Sequence, residues 1–113
     1  MKVTQKEKED VLVVLIEGEI NIDTIDILKK ELKSVLAKGA RKVILNFNRV
    51  EYIDSLGIAT LIEFSKSLES IQGELFLSNL SPKLRPLFGI TKLEKIFKIY
   101  ESEEEALRDF HGR

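Results

Sequence analysis

The sequence predicts a single α/β domain spanning residues 1–113. It has a mostly parallel sheet of four to five strands, an N-terminal edge strand, and about four helices packed mainly on one face. Short, continuous apolar runs such as Val11–Ile16 and Val43–Phe47 have the character of strands buried on both faces. Between them lie longer stretches whose apolar residues recur at spacings of three and four, the period of a half-buried helix. Strands alternating with helices imply parallel pairing through crossover connections. A chain of 113 residues fits one such unit.

An initial strand is expected around residues 2–5, at the sheet edge. Val11–Ile16 is the first buried strand, and Gly18 lies just beyond it. Asp23 or Thr24 can cap the following helix, in which Ile25, Leu28, Leu32, Val35 and Leu36 form the apolar stripe and Gly39 the stop. Val43–Phe47 is the second buried strand. A turn through Asn48 and Arg49 leads to Val50, Tyr52 and Ile53, and Asp54 or Ser55 opens a second helix. Its packing positions are Ile58, Leu61, Ile62, Leu68 and Ile71, and Gly73 ends it. Leu75–Leu77 is a third strand. Ser81–Pro82 predicts the start of a short helix reaching Gly89, because Ser caps and Pro suits the first helical position. Residues 96–100 form a last strand, and Ser102 with Glu105 makes a capping box for a closing helix through Ala106, Leu107 and Phe110.

Composition narrows the function classes. Hydrophobic residues make up 43% and charged residues 33%, the balance of a folded globular protein. The 18 basic and 19 acidic residues nearly cancel, so no strong overall field draws in nucleic acid or anionic lipid. No direct nucleic-acid partner and no membrane insertion are expected. The N-terminus carries charge where a signal core would be apolar, and with no cysteine in the chain this points to a cytoplasmic protein. One histidine, His111, and no cysteine cannot assemble a Ser/His/Asp triad or a zinc site. No phosphate-cradling glycine loop is present. The expectation is a non-enzymatic protein without cofactor or metal.

Two places on the C-terminal edge of the sheet, where open α/β sheets hold their ligands, stand out. One is the carboxylate group Glu17, Glu19 and Asp23; the other is Asp54-Ser55 at the second strand-to-helix junction. Asp and Ser are both good helix caps, so a purely structural role is available to either. A hydroxyl at a helix N-terminus is also exposed, and a phosphate there would meet free backbone N–H groups. Leu56, next to the cap, is expected to face outward, and Ile58 to pack on the core. An apolar side chain beside a phosphorylatable serine is how a regulated interface is built. A nucleotide-binding or enzymatic use of the carboxylate-lined edge is a further reading, supported by no motif.

The order Glu17-Gly18-Glu19-Ile20, Asp23-Thr24, Val43–Phe47 and Ile53-Asp54-Ser55-Leu56-Gly57-Ile58 resembles the STAS domain family. That family includes anti-sigma-factor antagonists and the cytoplasmic tails of sulfate transporters. The resemblance covers nearly the whole chain and continues through Leu87–Ile90, Ile96-Phe97 and Ser102–Leu107. It implies Ser55 as a phosphoacceptor, with Asp23, Asp54, Ser55, Leu56, Gly57 and Ile58 contacting the partner. It also implies an anti-sigma factor with serine kinase activity as that partner, held while Ser55 is unmodified, and a serine phosphatase to reset the switch. The alternative is a constitutive scaffold, or a subunit of a larger sensory (stressosome-like) or transport complex, without the switch. The chain departs from the family pattern at Leu56, where a small residue is common, and at Ala59, which replaces a second glycine.

Overall fold

The computed structural model describes residues 1–112. In chain order it contains β1 (Lys2–Lys8), β2 (Val11–Glu17), α1 (Ile25–Ala37), β3 (Lys42–Arg49), α2 (Ser55–Ser70), β4 (Glu74–Ser78), α3 (Arg85–Ile90), β5 (Lys98–Tyr100) and α4 (Glu103–His111). The five strands lie side by side in sequence order. β1 runs antiparallel to β2, and every later pair is parallel.

Alternation along each strand sorts the core into two layers. Leu12, Val14 and Ile16 of β2, Val43, Leu45 and Phe47 of β3, and Leu75 and Leu77 of β4 belong to the larger layer. Ile25, Leu28, Leu32 and Val35 of α1, Leu61, Phe64 and Leu68 of α2, and Phe88 of α3 pack into it. The other face is smaller. Val11, Val13, Ile44 and Phe76 meet Ala106 and Phe110 of α4 there. Phe110 stacks on Phe76 at 3.8 Å between ring centroids. The Tyr100 hydroxyl, beside that pair, hydrogen-bonds the Asp109 carboxylate. Three helices therefore cover one face and α4 the other, and β2 and β3 are buried on both sides, as their uninterrupted apolar runs require.

Three boundaries differ from the sequence-based expectation, each for a local reason. The helix expected from Ser81–Pro82 becomes regular only at Arg85 and runs to Ile90. The Ser81 carbonyl accepts the N–H groups of both Leu84 and Arg85, which closes a separate turn before the helix. The last strand begins at Lys98, because Ile96 and Phe97 still donate to Leu93 in a 3-10 turn over Leu93–Lys95. Thr24 occupies the N-cap position of α1 without capping it through its side chain. Its hydroxyl donates to the Glu19 carbonyl at 2.7 Å and accepts from the Asn21 N–H at 3.0 Å.

α4 is tied to the β1–β2 hairpin at both ends. Near its start, Glu103 accepts from Lys8 at 2.6 Å and from Asn46 at 3.0 Å. At its end, His111 lies 3.4 Å from Glu9 and 3.9 Å from Asp10. The single histidine thus sits on a helix terminus beside surface carboxylates. Burial would raise the Glu103 carboxyl, but the Lys8 and Asn46 hydrogen bonds outweigh it and hold the group below its ordinary value.

Candidate functional site

Past the C-terminal ends of β2 and β3, the two chains continue side by side. The Gly18 N–H donates to the Arg49 carbonyl at 3.0 Å, Ile20 N–H to Tyr52 at 2.9 Å, and Asp54 N–H to Ile20 at 3.0 Å. Ile20 and Ile53 form an isolated parallel bridge. Gly18 starts this course with φ +117°, a conformation that favours glycine. These bonds fix the β2–α1 and β3–α2 junctions as one surface, on which α2 begins.

Asp54 is the N-cap of α2. Its extended backbone aims the carboxylate at the helix, and Oδ1 accepts from the Gly57 N–H at 2.9 Å. Ser55 is the first helical residue and is exposed. Of the two caps the sequence permits, Asp54 takes that role and Ser55 stands exposed beside it. Gly57 is buried below. A Cβ there would stand 2.6 Å from both Ile20 Cγ2 and Ile53 Cγ1, so glycine is what lets α2 seat against the bridge.

Leu56 is 38% exposed, the outward position expected of it, and Ile58 is half-buried against the main core. Asp23 is exposed, with its N–H held by Asn21 Oδ1 at 2.9 Å. The surface thus carries Asp23, Asp54, Ser55 and Leu56 accessibly, whereas Gly57 and Ile58 shape it from beneath.

Sequence reasoning did not single out Ile22, 74% exposed, or Tyr52, 51% exposed, on the two joined segments. The available signal for Ile22 was its place in Asn21-Ile22-Asp23, outside the apolar period of α1. Asn21 was also missed, although its side chain organises the turn into α1.

The edge is acidic. Residues 17–27 and 49–58 hold Glu17, Glu19, Asp23, Asp26, Glu51 and Asp54 against one cation, Arg49. Arg49 lies 3.7 Å from Glu17. A shallow depression of about 420 Å³ here is lined by Glu17, Gly18, Glu19, Asn48, Arg49 and Glu51. Among the described residues, no group of three or more His, Cys, Asp or Glu is placed to hold a metal ion. A larger depression, about 680 Å³, lies at the opposite end of the sheet and is crossed by the Lys42–Asp10 and Lys38–Gln5 contacts. It shares no residue with the Ser55 edge. No helix among the described residues is long and apolar enough to cross a membrane.

Comparison with known proteins agrees with this architecture. The candidate anti-sigma factor antagonist BtrV of Bordetella bronchiseptica is 34% identical over 110 residues, covering 97% of this chain and 95% of BtrV. The crystal structure of a candidate anti-sigma factor antagonist from Thermotoga maritima superposes with a TM-score of 0.89 at 30% identity, covering 95% of this chain and 92% of that one. SpoIIAA, an anti-sigma factor antagonist solved in its unphosphorylated form, shares the fold with a TM-score of 0.82 at 24% identity, covering 99% and 98%. The STAS domain model matches residues 2–106, and the chain belongs to the STAS domain family.

Proposed function

We propose that this protein is a cytoplasmic, non-enzymatic anti-sigma-factor antagonist that works through the Ser55 edge. With Ser55 unmodified, it binds an anti-sigma factor carrying a serine kinase domain, and the sigma factor is released. The kinase then transfers the γ-phosphoryl group of ATP to Ser55. The Oγ–P bond forms, the bond to the β-phosphate oxygen breaks, ADP leaves, and the hydroxyl proton passes to a base of the kinase. The phosphorylated protein lets its partner go, and a serine phosphatase restores it by hydrolysis. Neither nucleic acid nor membrane insertion enters the cycle.

The observation that carries this reading is the exposed Ser55 at the start of α2, beside the exposed Leu56 and the joined segments bearing Ile22 and Tyr52. A phosphate adds about −1.5 to −2 charges at neutral pH. Burying that charge unpaired in an interface weakens binding by several kcal/mol, or some orders of magnitude in affinity. Membership of the STAS family, the naming of relatives as anti-sigma factor antagonists, and the solution of SpoIIAA in both unphosphorylated and phosphorylated forms support the reading.

The test is a side-by-side pull-down from lysate of the source cells, using wild-type, Ser55→Ala and Ser55→Asp baits and mass spectrometry. A kinase-domain anti-sigma factor is expected on wild type and Ser55→Ala and is expected to be lost on Ser55→Asp. Equal recovery of another complex on all three would refute the switch and favour a constitutive scaffold within a sensory or transport assembly.

A further inference from the structure

We propose that Asp54 is the positioning residue through which a phosphate on Ser55 is felt: the phosphate displaces the Asp54 carboxylate from the N-terminus of α2. This deepens the reading of Ser55 as a phosphoacceptor and rests on it.

Asp54 and a phosphate on Ser55 would draw on the same first-turn backbone donors. The first-turn N–H groups of a helix have no partner within the helix, and one of them, on Gly57, is already taken by Asp54 Oδ1 at 2.9 Å. A phosphate on Oγ of the first helical residue lies within reach of that same turn. Phosphorylated side chains are ordinarily ordered by an arginine or lysine. The two segments forming this edge supply only Arg49, which lies against Glu17. The charged groups of the edge are otherwise Glu19, Asp23, Asp26, Glu51 and Asp54, all of the phosphate's own sign. The helix terminus is therefore the positive end that these two segments offer the phosphate, and Asp54 holds one of its donors.

A dianion and a carboxylate about 5 Å apart disfavour each other on the order of tenfold even at the dielectric constant of water. The group of higher charge gains more from the helix terminus. The backbone of Asp54 stays in place, because its N–H is bonded to the Ile20 carbonyl at 3.0 Å. Its side chain is free to turn out. The displaced carboxylate then enters the surface between Tyr52 and Leu56, so phosphorylation rearranges the contact residues as well as adding charge.

The experiment uses the full chain with phosphoserine installed at position 55 by genetic encoding, alongside the unmodified chain. Asp54→Ala removes the cap, whereas Asp54→Asn keeps a capping oxygen without the charge. In the unmodified chain, Asp54→Ala is expected to lower the folding equilibrium constant, read by urea unfolding, by about tenfold. In the phosphorylated chain the loss should disappear and turn into a gain, because the cap is already gone and the substitution also removes the charge beside the phosphate. Asp54→Asn should be nearly neutral without phosphate and should raise the folding constant several-fold with it. By phosphorus NMR, the phosphate should ionise at lower pH in Asp54→Asn than in the parent.

Equal effects of Asp54→Ala in both backgrounds, with the phosphate ionising at the same pH in Asp54→Asn as in the parent, would overturn the proposal. If Asp54→Ala fails to fold, Asp54→Asn and the phosphorus titration carry the decision. Because the phosphoserine is installed directly, the result is independent of any cellular kinase. A failed pull-down would thus leave it standing, and its own failure would leave the pull-down standing.

Discussion

Gly57 offers a test of the edge by one methyl group. In an α-helix Gly→Ala ordinarily stabilises, by as much as about 1 kcal/mol. Here the new Cβ would lie 2.6 Å from Ile20 Cγ2, 2.6 Å from Ile53 Cγ1 and 3.1 Å from Ile53 Cδ1. Ordinary carbon contacts are about 3.5–4.0 Å, so two neighbours must each retreat by about 1 Å. Neither can do so cheaply: Ile20 is 0% and Ile53 2% exposed, and their backbones are joined by the parallel bridge. Overpacking of this kind costs about 1–3 kcal/mol, toward the upper end when two buried side chains are hit. Subtracting the helix gain leaves a net loss of about 1–2 kcal/mol. Gly89 in α3 is the control, because a Cβ there meets nothing closer than Glu94 Oε2 at 3.9 Å. Gly89→Ala should therefore stabilise by about 0.5–1 kcal/mol. Urea unfolding of both variants measures the two signs in one experiment. A neutral or stabilising Gly57→Ala would refute the close seating of α2 on the Ile20–Ile53 bridge.

The remaining expectations address α4 and the docking edge. Phe110→Ala should lower stability by about 3–5 kcal/mol by urea unfolding, because Phe110 is 1% exposed and stacked on Phe76; a loss below about 1 kcal/mol would mean that α4 contributes little to the fold. Glu103→Gln should destabilise by about 1 kcal/mol at neutral pH. The Glu103 carboxyl is depressed in the folded state, so its contribution is present above the ordinary carboxylate range and lost as pH falls through the folded-state value. The difference between wild type and variant should accordingly close on acidification, and a gap that widens there would contradict the assignment. Tyr52→Ala should leave the unfolding midpoint nearly unchanged, since Tyr52 is 51% exposed, yet weaken capture of the partner by tenfold or more, as aromatic anchors do; undiminished affinity in a binding titration would remove Tyr52 from the interface.

The legibility of this fold in its sequence followed the strength of each signal. Val11–Ile16 and Val43–Phe47 announce central strands because a strand covered on both faces needs no polar residue anywhere along it. Ser102 is a plain cap signal, and its hydroxyl does accept from the Glu105 N–H at 3.2 Å. Thr24 failed in that role because a stronger local demand, the turn organised by Asn21, claimed its hydroxyl. Ser81-Pro82 marked a real turn, but turn and helix start share the same residue preferences and cannot be told apart by composition. The site was legible to the same degree. Asp54 and Ser55 are equivalent caps on paper, and only the φ and ψ of the junction decide which side chain turns inward. The exposure of Ile22 and Tyr52 was not legible because no periodicity governs a loop.

Charge shows why chain-wide averages say little about such a site. The chain as a whole carries −1, a value that on its own suggests no field worth considering. Residues 17–27 and 49–58 carry −5, which leaves +4 for the rest of the chain. Backbone hydrogen bonds between residues 18–20 and 49–54 bring the two acidic segments to one edge, so the asymmetry is created by the fold. Nucleic acid and anionic lipid meet repulsion at this edge, in keeping with a protein partner there. A protein partner approaching with basic groups would be drawn to the same end, and its association rate should fall as salt rises. A phosphate on Ser55 has the sign of the field already present. On the proposed reading, its effect on such a partner would come from desolvation and from rearrangement at Asp54, since long-range attraction would only increase.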